Sequence, residues 1–183
     1  VYVADSGNHR IQVFNGDGQF VRGWGSSGTE PGQFNEPWGL EVDDSFVYVA
    51  DTWNHRIQKI TLDGELEGVF GDSGSPSADE TNGRKRNHRI QRLSPELLPA
   101  GEWTVEAWDG QSINNKPYLD VDSAGRGYVS DPEGYRVLIF SPTGAYLNRF
   151  GQFGADTNSL GLPNGLALAA DDSLWVADAG NHR

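Results

Sequence analysis

The sequence predicts an all-β protein built from the four-stranded blades of a β-propeller. A ten-residue phrase recurs along its 183 residues: VYVADSGNHR at 1–10, VYVADTWNHR at 47–56, GYVSDPEGYR at 127–136 and LWVADAGNHR at 174–183. With a shorter echo at 87–89, the phrases are spaced by 46, 33, 47 and 47 residues, measured at Asn8, Asn54, Asn87, Gly134 and Asn181. A period in the forties, with units rich in Val, Tyr, Phe and Trp and broken by Gly, Pro and Asp, is typical of propeller blades. No segment shows a sustained helical period, so little helix is expected.

The second repeat shows how one blade is formed. WGLEVD (38–43) is predicted as the inner strand, and FVYVAD (46–51) pairs back on it. HRIQKI (55–60) is the third strand and ELEGVFG (65–71) the outer one, with Gly and Asn providing the positive φ angles of the turns. Both faces of 46–51 are compatible with burial, as expected of a sheet held between two neighbouring blades.

One repeat departs from this pattern. The 33-residue step leaves too little room for a whole blade, and DSGSPSADETNGRKR (72–86) has no apolar alternation, so a loop is expected there. IQRL (90–93) and WTVEAW (103–108) are predicted as the third and fourth strands of a degraded blade, with at most a turn at 94–101.

The repeats predict one propeller segment of about four blade equivalents over 1–183. Because the chain starts at one second strand and stops after another, we expect an open arc or part of a larger ring. The blade phrases are at 1–25, 38–71, degraded 72–108, 117–151 and 163–183.

The second repeat also resembles a known family. GQFNEPWGLEVDDSFVYVADTWNHRIQKI (32–60) combines a G-x-F-x-x-P-x-G lead-in, a V-x-V-A-D strand end and an N-H-R-I-Q hairpin, and in this it resembles the NHL repeat. The resemblance implies β-propellers, most often six-bladed, that act largely as binding platforms. Residues 103–140 are in addition similar to propellers attached to bacterial multi-pass membrane proteins linked to glycosyl transfer, which implies an extracytoplasmic or membrane-tethered location.

Composition narrows the possible partners. The chain has 14 Lys and Arg against 26 Asp and Glu, a net charge of −12, which disfavours binding to nucleic acid. No apolar run is long enough to cross a bilayer, so this segment is not expected to span a membrane, although a longer parent protein could. With no cysteine there is no disulfide or thiolate metal site.

The residues that recur in every phrase are interpreted as scaffold. An aspartate and an arginine five positions apart are expected to pair across each hairpin: Asp5 with Arg10, Asp51 with Arg56, Asp131 with Arg136 and Asp178 with Arg183. The histidines are the middle residues of the repeated turns, so they are not expected to converge on a metal: His9, His55, His88 and His182. No catalytic residue, metal or cofactor is therefore predicted.

Three motifs in and beside 72–92 are discounted or kept as alternatives. GDSGSP (71–76) resembles a protease nucleophile loop but lacks triad partners, and the acidic residues Asp72, Asp79 and Glu80 lack the pattern of a calcium loop. A basic cluster supports an RNA-binding alternative or contact with an acidic partner, and consists of Arg84, Lys85, Arg86, Arg89 and Arg92.

Function is therefore sought in departures from the repeat. Glu41 and Asp120 stand on inner strands where the family favours a small residue, and we hypothesise that they bind a cation or polar ligand at the channel mouth. The loops that form one open face in related propellers carry aromatic, amide and charged side chains, of which the aromatic and amide ones suit a sugar or a peptide: Trp38, Trp53, Asn114, Asn115, Lys116, Tyr118, Glu133, Tyr135 and Asn164. The predicted ligand-binding residues are Trp38, Glu41, Trp53, Asn115, Tyr118, Asp120 and Tyr135.

These observations predict a non-enzymatic binding platform for a protein, peptide or glycan within a larger protein. One alternative is part of a propeller enzyme, a lyase or hydrolase, whose catalytic residues lie outside this segment. The third is the RNA-binding platform.

Overall fold

The computed structural model describes residues 1–71, 89–112, 115 and 117–183, in which all regular structure is β-strand or short 3-10 turn. No helix in these ranges is long and apolar enough to cross a bilayer. The strands are β1 Tyr2–Asp5, β2 Arg10–Phe14, β3 Phe20–Trp24, β4 Pro37–Val42, β5 Phe46–Asp51, β6 Arg56–Thr61, β7 Leu66–Phe70, β8 Arg89–Leu93, β9 Pro99–Thr104, β10 Leu119–Val121, β11 Gly127–Asp131, β12 Arg136–Phe140, β13 Tyr146–Phe150, β14 Pro163–Leu168 and β15 Leu174–Asp178.

The strands form five sheets in which each strand pairs with the next one in the chain. Sheet I is β1–β3, sheet II β4–β7, sheet III β8–β9, sheet IV β10–β13 and sheet V β14–β15. The registered pairs are antiparallel. Sheets II and IV have the four strands of a propeller blade, which confirms the predicted fold class.

The degraded blade differs from the prediction at its last strand. Ser94 Oγ accepts hydrogen bonds from the amides of Glu96 and Leu98, at 3.2 and 3.3 Å, and closes a hairpin turn, so pairing resumes at Pro99. The predicted strand at 103–108 is therefore wrong in its second half, where Glu106–Trp108 is a 3-10 turn. The indole of Trp108 donates to the Ser130 carbonyl, which draws this segment out of the sheet.

The described residues divide into two compact units, each with its own core. The first unit contains 1–71 and 93–99. Its core packs sheet I on sheet II through Ile11, Phe34, Val47, Val49 and Ile60. Val47 and Val49 are fully buried while Tyr48 and Ala50, on the other face of β5, are half-buried, so both faces of the strand are covered as predicted.

The second unit contains 89–92 and the described part of 100–183. Its core includes Val105, which directly follows β9, and four side chains from sheets III and IV: Ile90, Val129, Leu138 and Phe140. Backbone contact between β14 and both β10 and β11 places sheet V beside sheet IV.

Candidate functional site

The turns between second and third strands lie at one end of each sheet, which we call the 3-10 end. Ser6–Asn8, Thr52–Asn54 and Ala179–Asn181 are 3-10 turns, and 132–135 is a turn at the equivalent position. The loops that lead into sheets II and V arrive at the same end, because Pro37 pairs with Asp51 and Pro163 with Asp178.

The recurring aspartate and arginine hold these turns, as predicted. The Arg Nε to Asp Oδ2 distances are 2.8 Å for Arg10–Asp5, 2.7 Å for Arg56–Asp51, 2.5 Å for Arg136–Asp131 and 3.1 Å for Arg183–Asp178. Asp51 also accepts from the amide of Asn35 at 2.7 Å, so the carboxylate joins the turn to its lead-in loop.

The same arginines fasten the lead-in loops by their backbone carbonyls. Arg56 donates to the carbonyls of Thr29, Glu30 and Gln33. In the second unit, Arg183 donates to the equivalent carbonyls of Ala155, Asp156 and Ser159. The loops are therefore fixed supports for whatever side chains they carry.

The described histidines also serve the turns. His9, His55 and His182 follow their 3-10 turns in the left-handed conformation, with φ of 55°, 55° and 56°. His9 Nδ1 accepts from the amide of Glu36 at 3.1 Å, which ties a turn of sheet I to the loop entering sheet II. Across the part of the chain that the structure describes, no three His, Asp or Glu residues are grouped to hold a metal ion.

In the first unit the predicted residues Trp38 and Trp53 both lie at the 3-10 end and are 46% and 45% exposed. Trp53 Nε1 donates to Glu36 Oε2 at 2.9 Å, and its amide donates to the Asn35 carbonyl at 3.2 Å. Glu36 has a φ of 46°, an uncommon conformation for a residue with a side chain. Two exposed indoles and a carboxylate that one of them contacts therefore lie at the 3-10 end of sheet II.

In the second unit Glu133 occupies the turn position that Trp53 has in the first. Glu133 Oε1 accepts from the Ser112 amide at 2.6 Å and from Asn115 Nδ2 at 2.8 Å, so the predicted residue Asn115 is held against the turn. Tyr118 directly precedes the inner strand β10 of this sheet and is 44% exposed, while its amide donates to Ser130 Oγ at 2.7 Å.

Tyr135 pairs with an aromatic residue that the sequence analysis did not single out. Its ring lies 4.8 Å from that of Phe153, centroid to centroid, with the planes inclined by 60°. Phe153 is 74% exposed. A comparison of lead-in loops could have identified it. Phe153 forms an isolated β-bridge with Leu160, and Ser27 forms the equivalent bridge with Phe34 in the first unit.

The inner-strand carboxylates stand apart from these aromatic residues. Glu41 is exposed and pairs in register with Tyr48, and Asp120 is half-buried and pairs with Tyr128. Asp120 Oδ2 accepts from the Leu168 amide of sheet V at 2.6 Å. One oxygen of Asp120 therefore joins two inner strands.

Several predicted features lie outside the described residues: Asn114, Lys116, His88, Asp72, Asp79, Glu80, Arg84, Lys85, Arg86 and all of GDSGSP except Gly71. The two described members of the basic cluster are engaged. Arg89 pairs with Glu102 at 3.3 Å, and Arg92 donates to the carbonyls of Ala100 and Pro142. Asn164 is half-buried at the position corresponding to Trp38.

Comparison with known proteins bears on the repeat and on the fold. The model of the NHL repeat matches residues 1–14, 34–60 and 160–183. No curated protein sequence matches the chain.

Similar solved structures include virginiamycin B lyase from Staphylococcus aureus, at 16% identity and a TM-score of 0.65 over 98% of this chain and 59% of that one. A streptogramin B lyase structure is 13% identical, with a TM-score of 0.66 over 97% and 58%. A putative 6-phosphogluconolactonase from Bacteroides fragilis is 14% identical, with a TM-score of 0.52 over 92% and 56%. The chain thus spans less than two thirds of the length of each, and at these identities the likeness concerns the fold alone.

The repeated turns and the blade-like sheets agree with both comparisons. Residues 1–14, 34–60 and 160–183 are NHL repeats, and the sheets have the fold of β-propeller blades.

Proposed function

We propose that the 3-10 end is a binding platform that recognises a protein, peptide or glycan. The observation that carries this proposal is the exposed indole of Trp53, in a turn that forms elsewhere without one. The same 3-10 turn forms with glycine at the corresponding position, at Gly7 and Gly180, so the fold does not require an indole there. A large aromatic side chain that is 45% exposed and unnecessary for the turn is best explained by an external ligand.

The surroundings of Trp53 support this proposal. The hydrogen bond from its indole to Glu36 fixes the orientation of the ring before any ligand arrives, which lowers the entropic cost of binding. Glu36, which accepts this hydrogen bond, has a positive φ, and such conformations are concentrated at functional sites. Trp38 extends the aromatic surface at the same edge, and an extracytoplasmic or membrane-tethered location would expose this face to peptides and glycans.

The test is to remove the indole while keeping the turn. Trp53→Gly reproduces the turn of Gly7 and Gly180, so its unfolding midpoint should stay close to that of the wild type. A random-peptide phage library and a glycan array are each probed with both proteins, and ligands of the wild type should bind the variant at least about tenfold more weakly.

The matched control is Trp175→Thr, which removes an indole that is 70% exposed on β15, away from the 3-10 end. It should bind like the wild type. Equal binding by Trp53→Gly and the wild type, or equal losses in the two variants, would refute the platform.

A second candidate is part of a propeller enzyme, either a lyase or a hydrolase, with its catalytic residues on a longer protein. Two similar structures, a lyase and a putative lactonase, favour this alternative at the level of fold analogy. It predicts that a longer parent protein turns over a substrate that this chain alone only binds.

A further inference from the structure

The half-buried Tyr135 and the exposed Phe153 form an aromatic pair that the repeat itself does not need. His9 stands at the position of Tyr135, four residues after the recurring aspartate and with nearly the same φ, 55° against 56°. Ser27 stands at the position of Phe153. The first unit therefore forms the same turn and the same loop without either ring, which points to an external role for the pair.

The pair is held rigidly from both sides. Tyr135 donates its amide to the Pro132 carbonyl and closes the turn between β11 and β12. The loop that carries Phe153 is fastened to the turn of sheet V, where Asn181 Nδ2 donates to the Gly154 carbonyl at 2.8 Å and Arg183 Nη1 to the Ala155 carbonyl at 3.1 Å. Phe153 is thus 74% exposed on a fixed support.

Two carboxylates lie on the same chain segments as the two rings. Glu133 lies in the same turn as Tyr135, and Asp156 follows Phe153 by three residues. Arg136, next to Tyr135, and Arg183, which donates to the loop of Phe153, are each paired with the aspartate of their own turn. Arg149 lies four residues before Phe153, on the outer strand β13. With a net charge of −12 on the whole chain, a cationic ligand is attracted to this surface and an anionic one is repelled.

The shape of the pair favours a peptide side chain over a sugar. Because the ring planes are inclined by 60°, they do not form one flat platform for a pyranose. Arginine and lysine bind over individual aromatic faces with a carboxylate nearby, and arginine is enriched among residues that dominate binding.

We propose that the Tyr135–Phe153 pair, flanked by Glu133 and Asp156, docks a basic peptide segment of a partner protein through an arginine or lysine side chain. This inference rests on the proposed binding platform and specifies the chemistry of its ligand in the second unit.

The experiment uses the full chain and three labelled peptides, of alternating glycine and arginine, glycine and serine, and glycine and glutamate. Binding is followed by fluorescence anisotropy at two ionic strengths. The arginine peptide should bind best, and salt should weaken it because the charges are exposed. Phe153→Ser, which copies Ser27, should weaken it by at least about tenfold.

The control is Phe20→Ser, which removes another exposed phenylalanine, 59% accessible on the outer strand β3, and should bind the arginine peptide like the wild type. Equal binding by Phe153→Ser, or equal affinity for the serine peptide, would overturn the inference. Sedimentation without peptide tests whether a second copy of this chain occupies the pair instead. Self-association of the wild type that Phe153→Ser abolishes would assign the pair to that second copy and overturn the inference.

A wild type that binds no arginine peptide, yet binds library peptides or glycans through Trp53, would overturn this inference alone. A wild type that binds neither the arginine peptide nor any library peptide or glycan would refute the binding platform itself.

Discussion

Asp51 illustrates why one aspartate recurs at every hairpin. Its side chain is inaccessible to solvent and accepts from the Asn35 amide, Asn54 Nδ2, Arg56 Nε and Gln58 Nε2, all between 2.7 and 2.9 Å. A carboxylate buried without these donors would cost several kcal/mol. One residue thus connects the turn, the third strand and the lead-in loop.

Asp51→Ala should destabilise the protein by about 3–5 kcal/mol, because it leaves the Arg56 guanidinium, only 10% exposed, without its carboxylate. Urea unfolding of the wild type and the variant measures this difference. The matched control is Asp63→Ala, which removes an ion pair of similar length, 2.9 Å, to Arg22. The Asp63 side chain is 83% exposed. This substitution should cost no more than about 1 kcal/mol, and similar losses in the two variants would contradict the structural role of Asp51.

At the scale of the element, the turn between third and fourth strands shows how one sheet contacts the next. Gly18, Gly64 and Gly144 occupy the same place in sheets I, II and IV, with φ of 77°, 100° and 86°. A Cβ at Gly144 would lie 2.6 Å from the Trp103 ring of sheet III, whereas one at Gly18 would have no atom within 4 Å. The glycine therefore has a packing role only where a neighbouring tryptophan covers the turn.

Gly144→Ala should accordingly destabilise the protein more than Gly18→Ala. Both variants carry the conformational cost of placing alanine at positive φ, about 1–2 kcal/mol, but only Gly144→Ala must displace Trp103. Thermal unfolding of the two variants, together with the near-ultraviolet dichroism of the tryptophans, measures the difference. Equal losses of stability would show that the Trp103 ring moves aside without a loss of stability.

For the whole molecule, the decisive property is its excess of carboxylates, several of which are held in the ionised form. The amides of Ser45 and Phe46 donate to Asp43 and keep the pKa of its carboxyl below the ordinary value. Hydrogen bonds from the Ser173 hydroxyl and amide lower the pKa of Asp171 in the same way. Each group stabilises the fold above its unfolded pKa, near 3.9, and this contribution is lost as the pH falls through its folded pKa.

The free energy of unfolding should therefore fall as the pH decreases from about 5 to about 2.5. Below the isoelectric point of about 4.6 the net charge is positive, so further protonation increases the net charge repulsion and also weakens the fold. The double variant Asp43→Asn, Asp171→Asn should show a smaller fall, because asparagine can accept the same turn amides without titrating, as Asn15 does from Asp17 and Gln19.

The control for this pH series is Asp44→Asn, which removes one charge at an exposed neighbouring position. It should follow the wild type. An unchanged pH dependence in the double variant would show that the bonded turn aspartates do not determine acid stability.

The sequence predicts the strands of one blade more accurately than those of another. The blade of sheet II was predicted to within one residue at each strand end, because its hairpins depend on local turn chemistry and on side chains that alternate between two buried faces. The fourth strand of the degraded blade was misplaced, because the hairpin at Ser94 and the contact of Trp108 with Ser130 do not follow from a local pattern.

The all-β class, the order of strands in each blade and the Asp–Arg pairs follow from the amino-acid sequence, since all of these join residues close together in the chain. Which unusual side chains come into contact depends on the folded protein. It placed Tyr135 against Phe153 and connected Asp120 to Leu168 across 48 positions, because such contacts depend on how successive sheets pack.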